Sequence, residues 1–171
     1  MSTAVYVDAS AIVKLFVAEH GSELARESVL GPRAKISSRV IYTEVGRAIH
    51  RRIRNDAERA DALADWEVLW EAFDVVEVDE HITRHALALA QFHGLGTLDA
   101  IHLASALRVP AAPMRFATWD SALADAAHAV GLRTIPDLGR SSRRVLSEAD
   151  ASIVADAEAD ADLLALARQT R

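Results

Sequence analysis

The sequence predicts an α/β domain in which a parallel sheet is covered on both faces by helices. Three observations predict it. Short strand-like pieces alternate with stretches of helical periodicity along most of the chain. The first such piece, Val5-Tyr6-Val7, is β-branched and aromatic, as suits a short buried strand. Gly94, Gly96, Pro110, Pro113 and Gly131 punctuate the boundaries between the pieces.

In order along the chain, residues 4–7 form the first expected strand, which ends on Asp8. Ile12, Val13, Leu15, Phe16 and Val17 then supply the apolar side of a helix over 10–17. A second helix is expected over 22–30, a strand over 35–37, and helices over 39–54 and 56–72. A strand over 75–78, helices over 80–93 and 98–107, a strand over 115–118, a helix over 121–130 and a strand over 133–135 complete the pattern. Composition shifts after Pro136-Asp137, so residues 1–137 are read as one domain and 138–171 as a linker and C-terminal helical appendage. The linker carries Arg140, Arg143 and Arg144. Ser147 with Asp150 resembles a capping box, and Ile153, Ala157, Ala161 and Leu164 form a modest apolar stripe.

Composition narrows the function classes. The chain has 171 residues, 51% of them apolar, with no run long enough to cross a membrane and no export signature at its start. Cytoplasm is therefore the expected compartment. Cysteine is absent, which excludes disulfides and thiolate metal sites. Net charge is −6, the wrong sign for broad electrostatic attraction to nucleic acid. Positive charge is nonetheless concentrated between Arg33 and Arg54, where Glu44 is the only acid. Taken alone, that run reads as a solvated helix face.

Four carboxylates occupy comparable places. Asp8 ends the first strand, Glu44 lies early in the helix after the second, and Asp99 begins a helix after a Gly-rich turn. Asp120 follows the fourth strand, again at a helix start. Singly, Asp8, Asp99 and Asp120 each read as an N-cap and Glu44 as a surface acid. Jointly, four acids from separate strand–helix junctions are placed to converge at the C-terminal edge of one sheet, where α/β folds bind ligands. Like charges held together call for a cation. Oxygen-only donors point to a hard one, Mg²⁺ or Mn²⁺, which also reconciles an acidic cluster with a polyanionic substrate.

The segments "VYVDASAI", Ser37–Ile49 with Glu44, "LDAIHLASAL" and "FATWDSALADAAHAVGL" together resemble a PIN-domain ribonuclease of the VapC toxin type. The resemblance covers residues 4–135, most of the chain, and implies a three-layer α/β/α fold. It implies Asp8, Glu44, Asp99 and Asp120 as a catalytic quartet around Mg²⁺ or Mn²⁺, with Asp8, Asp99 and Asp120 as metal ligands. It further implies cleavage of RNA phosphodiesters, neutralisation by a VapB-type antitoxin, and a homodimer. A housekeeping PIN nuclease and a catalytically inactive PIN-fold binding module are the alternatives. Trp119 stands where the family often has a smaller aromatic, and the tail beyond Asp137 is longer than the family's usual end.

Other side chains gain a second reading in that light. Ser10 and Thr118 carry hydroxyls beside the acids, either for local capping or for water at a metal. Arg39, Arg47, Arg51 and Arg52 flank Glu44 and become candidates for RNA phosphates. Leu63, Trp66 and Trp70, spaced along one helix with Phe73 just beyond, either fill the core or line a groove for an antitoxin helix. His81 and His85 read as a surface pair, and His102 as a packed histidine.

Overall fold

The computed structural model describes residues 4–110 and 114–137. The expected appendage over 138–171 lies outside the described residues, as does Pro113. The chain runs β1 (Ala4–Val7), α1 (Ala9–Phe16), α2 (Ser22–Leu30), β2 (Lys35–Ser38), α3 (Ile41–Arg52), α4 (Asp56–Trp70), β3 (Phe73–Val76) and α5 (Glu80–His93). It continues through α6 (Thr97–Arg108), β4 (Met114–Ala117), α7 (Ser121–Ala129) and β5 (Arg133–Ile135). The strands form one parallel sheet in the order β3-β2-β1-β4-β5.

Alternation along β1 divides the core. Val5 and Val7 face one side, where they pack with Ile12, Val29, Ile41, Val45 and Ile49 of α1 to α3 and Trp66 of α4. Tyr6 faces the other, with Ile36 and Phe116 from neighbouring strands and Ile82, Leu89, Leu103 and Leu123 from α5 to α7. Tyr6 stacks on Phe116 across the β1–β4 pair at 5.2 Å between centroids. The result is three layers, helices over sheet over helices. Each fully buried Leu or Ile here contributes roughly 1.5–3 kcal/mol of hydrophobic stabilisation.

Most expected elements stand within a residue or two of their predicted bounds. The third strand is the main displacement: it runs Phe73–Val76 rather than 75–78. Its start is set by pairing and packing. Lys35 to Ser38 of β2 align with Phe73 to Val76, and Phe73 anchors against Trp66 and Trp70. Beyond Val76 the chain leaves the ladder, and Asp79 caps α5 by accepting from the Ile82 N–H at 2.8 Å.

The strand order reverses direction between β1 and β4. From β1 the chain proceeds outward to β2 and β3, then returns to β4 on the opposite side of β1. Such a switch point opens a crevice at the carboxyl ends of the two strands. Val7 aligns with Ala117, so Asp8 and Thr118 emerge side by side at that crevice.

Candidate active site

Asp8 is 4% exposed and locked on several sides. Its Oδ1 accepts from the Ala11 N–H at 3.1 Å, which caps α1, and from the Ser10 hydroxyl at 2.7 Å. Its Oδ2 accepts from the Thr118 hydroxyl at 2.9 Å. The two hydroxyl oxygens accept in turn: Ser10 Oγ from the Trp119 N–H at 2.7 Å, and Thr118 Oγ1 from the Asp120 N–H at 3.1 Å. Cap and site residue are thus not alternatives for Asp8. A carboxylate has about four lone-pair directions, and three are used here. Burial raises the Asp8 carboxyl above its usual range, against the lowering influence of His102, Ser10, Thr118 and the Ala11 amide.

Asp120 caps α7, accepting from the Leu123 N–H at 2.9 Å, and is exposed. Asp99 lies in the first turn of α6, where Gly96 is the cap residue, so it is not itself a side-chain cap. A Cβ at Gly96 would stand 3.2 Å from Asp99 Oδ2, so the glycine leaves room for that carboxylate. The Asp99 carboxyl is raised first by burial, then by the charges of Asp120 and Asp8, with Glu44 adding to the effect and His102 opposing it. All four acids therefore share one electrostatic environment, contributed by α1, α3, α6 and α7.

Glu44, in the first turn of α3, is held from across the sheet edge. His102 Nε2 lies 2.8 Å from Glu44 Oε2, and His102 Nδ1 lies 3.1 Å from the Tyr6 hydroxyl. Burial keeps Tyr6 protonated far beyond neutral pH. A carboxylate accepts, so His102 Nε2 carries the N–H that donates to Glu44, and the Tyr6 hydroxyl is the partner of Nδ1. His102, read in the sequence as a packed histidine, is buried but hydrogen-bonded at both ring nitrogens. The available signal was its spacing: Asp99 and His102 stand three apart on a helix and share a face.

A hard divalent cation fits this donor set by chemistry: carboxylate oxygens from four elements, no sulfur, and a spare lone pair on Asp8. Among the described residues, no three His, Asp or Glu side chains are gathered tightly enough to enclose an ion as they stand. The carboxylates are at charge-coupling range of one another rather than at ligating range.

A cavity of 530 Å³ opens beside the acids, between α1 and α3, with Ser10 and Glu44 in its wall. Arg47 and Arg51, one turn apart on α3, line it, and no hydrogen bond or ion pair holds either among the described residues. Arg52 also lines it but pairs with Glu19 at 3.0 Å, as does Lys14 at 2.8 Å. Arg39 is not brought to this cavity: it pairs with Glu77 and lies over the Trp70 ring at 5.5 Å. The expected arginine set therefore divides by location.

The expected groove on α4 is corrected for Trp66. That indole is 1% exposed, packs against Trp70 and Phe73, and donates from Nε1 to the Tyr42 carbonyl at 3.2 Å. It fills the core because α4 lies against α3 and β3 with this side inward. Leu63 and Trp70 are half-buried against the same cluster. His81 and His85 approach each other on α5, ring edge to face at 6.4 Å, but they are not a surface pair: His85 is buried.

Comparison with known proteins follows the same lines. The family model for the PIN domain matches residues 5–129. Ribonuclease VapC45 of Mycobacterium tuberculosis (strain CDC 1551 / Oshkosh) is 45% identical over 136 residues, covering 77% of this chain and 94% of the relative. Ribonuclease VapC46 of strain ATCC 25618 / H37Rv is 37% identical over 134 residues, covering 77% and 96%. Among solved structures, PAE2754 from Pyrobaculum aerophilum superposes with a TM-score of 0.59 at 19% identity, covering 79% of this chain and 91% of that one. A toxin–antitoxin complex from Klebsiella pneumoniae superposes at 0.52 with 20% identity, covering 69% and 87%, and shares the fold.

Proposed function

The chain belongs to the PIN-domain family, and from that premise we propose that it is a metal-dependent endoribonuclease of the VapC toxin type. One observation carries the reading: four acids from separate elements lie at one sheet edge, where the Asp99 carboxyl is raised first by burial and then by the charges of Asp120, Asp8 and Glu44. A purely structural edge has no use for that repulsion.

Asp8, Asp99 and Asp120 would hold the cation, Mg²⁺ or Mn²⁺. When bound, it neutralises charge on the phosphodiester and makes water more acidic. The remaining work falls to the chain. Ser10, Thr118 and the Ala11 amide hold Asp8 in one orientation. His102 engages Oε2 of Glu44, so Oε1 is the oxygen left to orient a water and take its proton. The water oxygen bonds to phosphorus as a bridging P–O bond breaks. Arg47 and Arg51 steady neighbouring phosphates from the cavity wall.

The partners of this reading are RNA, a VapB-type antitoxin and a second copy of the chain, in the cytoplasm. The names of the relatives support a toxin role, and no helix among the described residues is long and apolar enough to cross a membrane. The test is sequencing of cellular RNA ends after induction of the unsubstituted chain and of Asp8→Asn. New ends are expected with the former alone; identical ends in both would overturn the assignment.

A further inference from the structure

We propose that Tyr6 is a positioning residue for the cleavage reaction: its hydroxyl holds the His102 ring, and the ring holds Glu44, so that Oε2 is engaged and Oε1 stays free for water. The inference rests on the ribonuclease reading and extends the working site inward, to a core residue that reaches Glu44 only through His102.

The Tyr6 hydroxyl is more than packing requires. The side chain is fully buried on the α5–α7 side of the sheet and stacks on Phe116 with the ring planes 6° apart. A phenylalanine suffices for such a place, as Phe116 does one strand away. A buried hydroxyl is costly unless it is bonded, and this one meets His102 Nδ1 at 3.1 Å. Ser105, the Ser38 backbone and Ser37 bear on the same oxygen as donors, which holds the hydroxyl in place. The Tyr6 and His102 rings also meet edge to face, 6.0 Å between centroids at 81°.

An imidazole held at one nitrogen can pivot about that contact. His102 is held at both, by Tyr6 at Nδ1 and by Glu44 Oε2 at Nε2, 2.8 Å away. The ring is 1% exposed, so bulk water replaces neither contact. Glu44 has a long, rotatable side chain, and His102 is its one hydrogen-bond donor among the described residues. The linkage joins β1 to α6 and α3. β1 also ends on Asp8, so the strand that places one acid sets the orientation of another through Tyr6.

The test is a double-mutant cycle on the full chain with Mg²⁺. Its substrate is a labelled oligoribonucleotide spanning a cleavage site mapped by RNA-end sequencing. Tyr6→Phe keeps the stacked ring and removes the hydroxyl, with circular dichroism to confirm the fold. It is expected to lower kcat roughly 10-fold, the lower end for a supporting contact, with KM unchanged. In a His102→Ala background it is expected to lower kcat no further, because the linkage is already cut. Nitrogen-15 spectra of the histidine rings in EDTA give a reading independent of turnover. Tyr6→Phe should move the His102 Nδ1 signal, which is assigned by its loss in His102→Ala. Unchanged kcat in folded Tyr6→Phe overturns the inference. So does an equal fold-loss in both backgrounds, the mark of a packing effect alone. If Tyr6→Phe does not fold, the spectrum of the unsubstituted chain decides, and a His102 Nδ1 without the shift of a hydrogen bond overturns the inference. An unsubstituted chain that cleaves no RNA overturns the ribonuclease reading and this inference together, whereas failure of the inference alone leaves that chain active.

Discussion

At the residue scale, the hydrogen bond between His102 and Glu44 makes a sharp prediction. His102→Ala releases Glu44 from its orienting donor, and loss of such a supporting contact typically costs roughly 10- to 100-fold in activity or metal affinity. His102→Gln, which keeps an N–H near the position of Nε2, is expected to recover much of it. Turnover together with calorimetric cation affinity checks this; an alanine variant equal to the unsubstituted chain in both would show that Glu44 needs no positioning. Asp99 makes a second prediction, about pH. Its folded-state carboxyl is raised by burial and by Asp120 and Asp8, so the folded state binds more protons than the unfolded one. Stability contributed at this site is therefore lost as pH rises from the ordinary carboxylate range through the raised value. Asp99→Asn lacks that loss. In EDTA its Tm should exceed that of the unsubstituted chain by a margin that grows over this window, and added divalent cation should shrink the margin. A margin independent of pH would contradict the electrostatic account.

At the element scale, α3 and α4 divide their labour. The inner side of α4 belongs to the core, and Trp66→Ala should destabilise the fold by about 3–5 kcal/mol, read by denaturant unfolding. That cost would be out of place for a side chain lining an open groove. The arginines of α3 face the cavity. Arg47→Ala and Arg51→Ala should each weaken RNA binding and reduce the slope of log affinity against log salt by about 0.7, the value for one lost single-strand phosphate contact. Arg39→Ala, whose partners are Glu77 and Trp70, should leave that slope unchanged. Equal slopes for Arg47→Ala and Arg39→Ala would remove the distinction. The distinction was invisible in the sequence, where Arg39, Arg47, Arg51 and Arg52 form one basic run. Helical spacing groups Arg47 with Arg51, but the neutralising acids Glu77 and Glu19 come from distant parts of the chain.

At the scale of the whole molecule, acids from four elements meet only because the sheet reverses between β1 and β4. Cleavage by the intact protein should cease in EDTA and return with Mg²⁺ or Mn²⁺; undiminished cleavage without divalent cation would sink the carboxylate chemistry. Alternating periodicity was enough to read the α/β class and nearly every element, because local patterning carries both. The places of the four acids along the elements were also legible, since each stands at a strand end or in a first helical turn that the chain marks locally. Asp8, Ser10 and Thr118 were legible as neighbours of the site, though not as one hydrogen-bonded unit. The early start of β3 was not legible, because pairing with β2 and the packing of Phe73 on Trp66 and Trp70 set it. The same holds for His102. Its spacing from Asp99 is local, but its partners Tyr6 and Glu44 lie 96 and 58 residues away, so only the packed fold makes it part of the site. Sequence alone determined which chemical groups this protein has and the elements they begin or end. Tertiary structure decided which of them face one another, because burial, charge coupling and hydrogen bonding depend on distances that a linear chain does not contain.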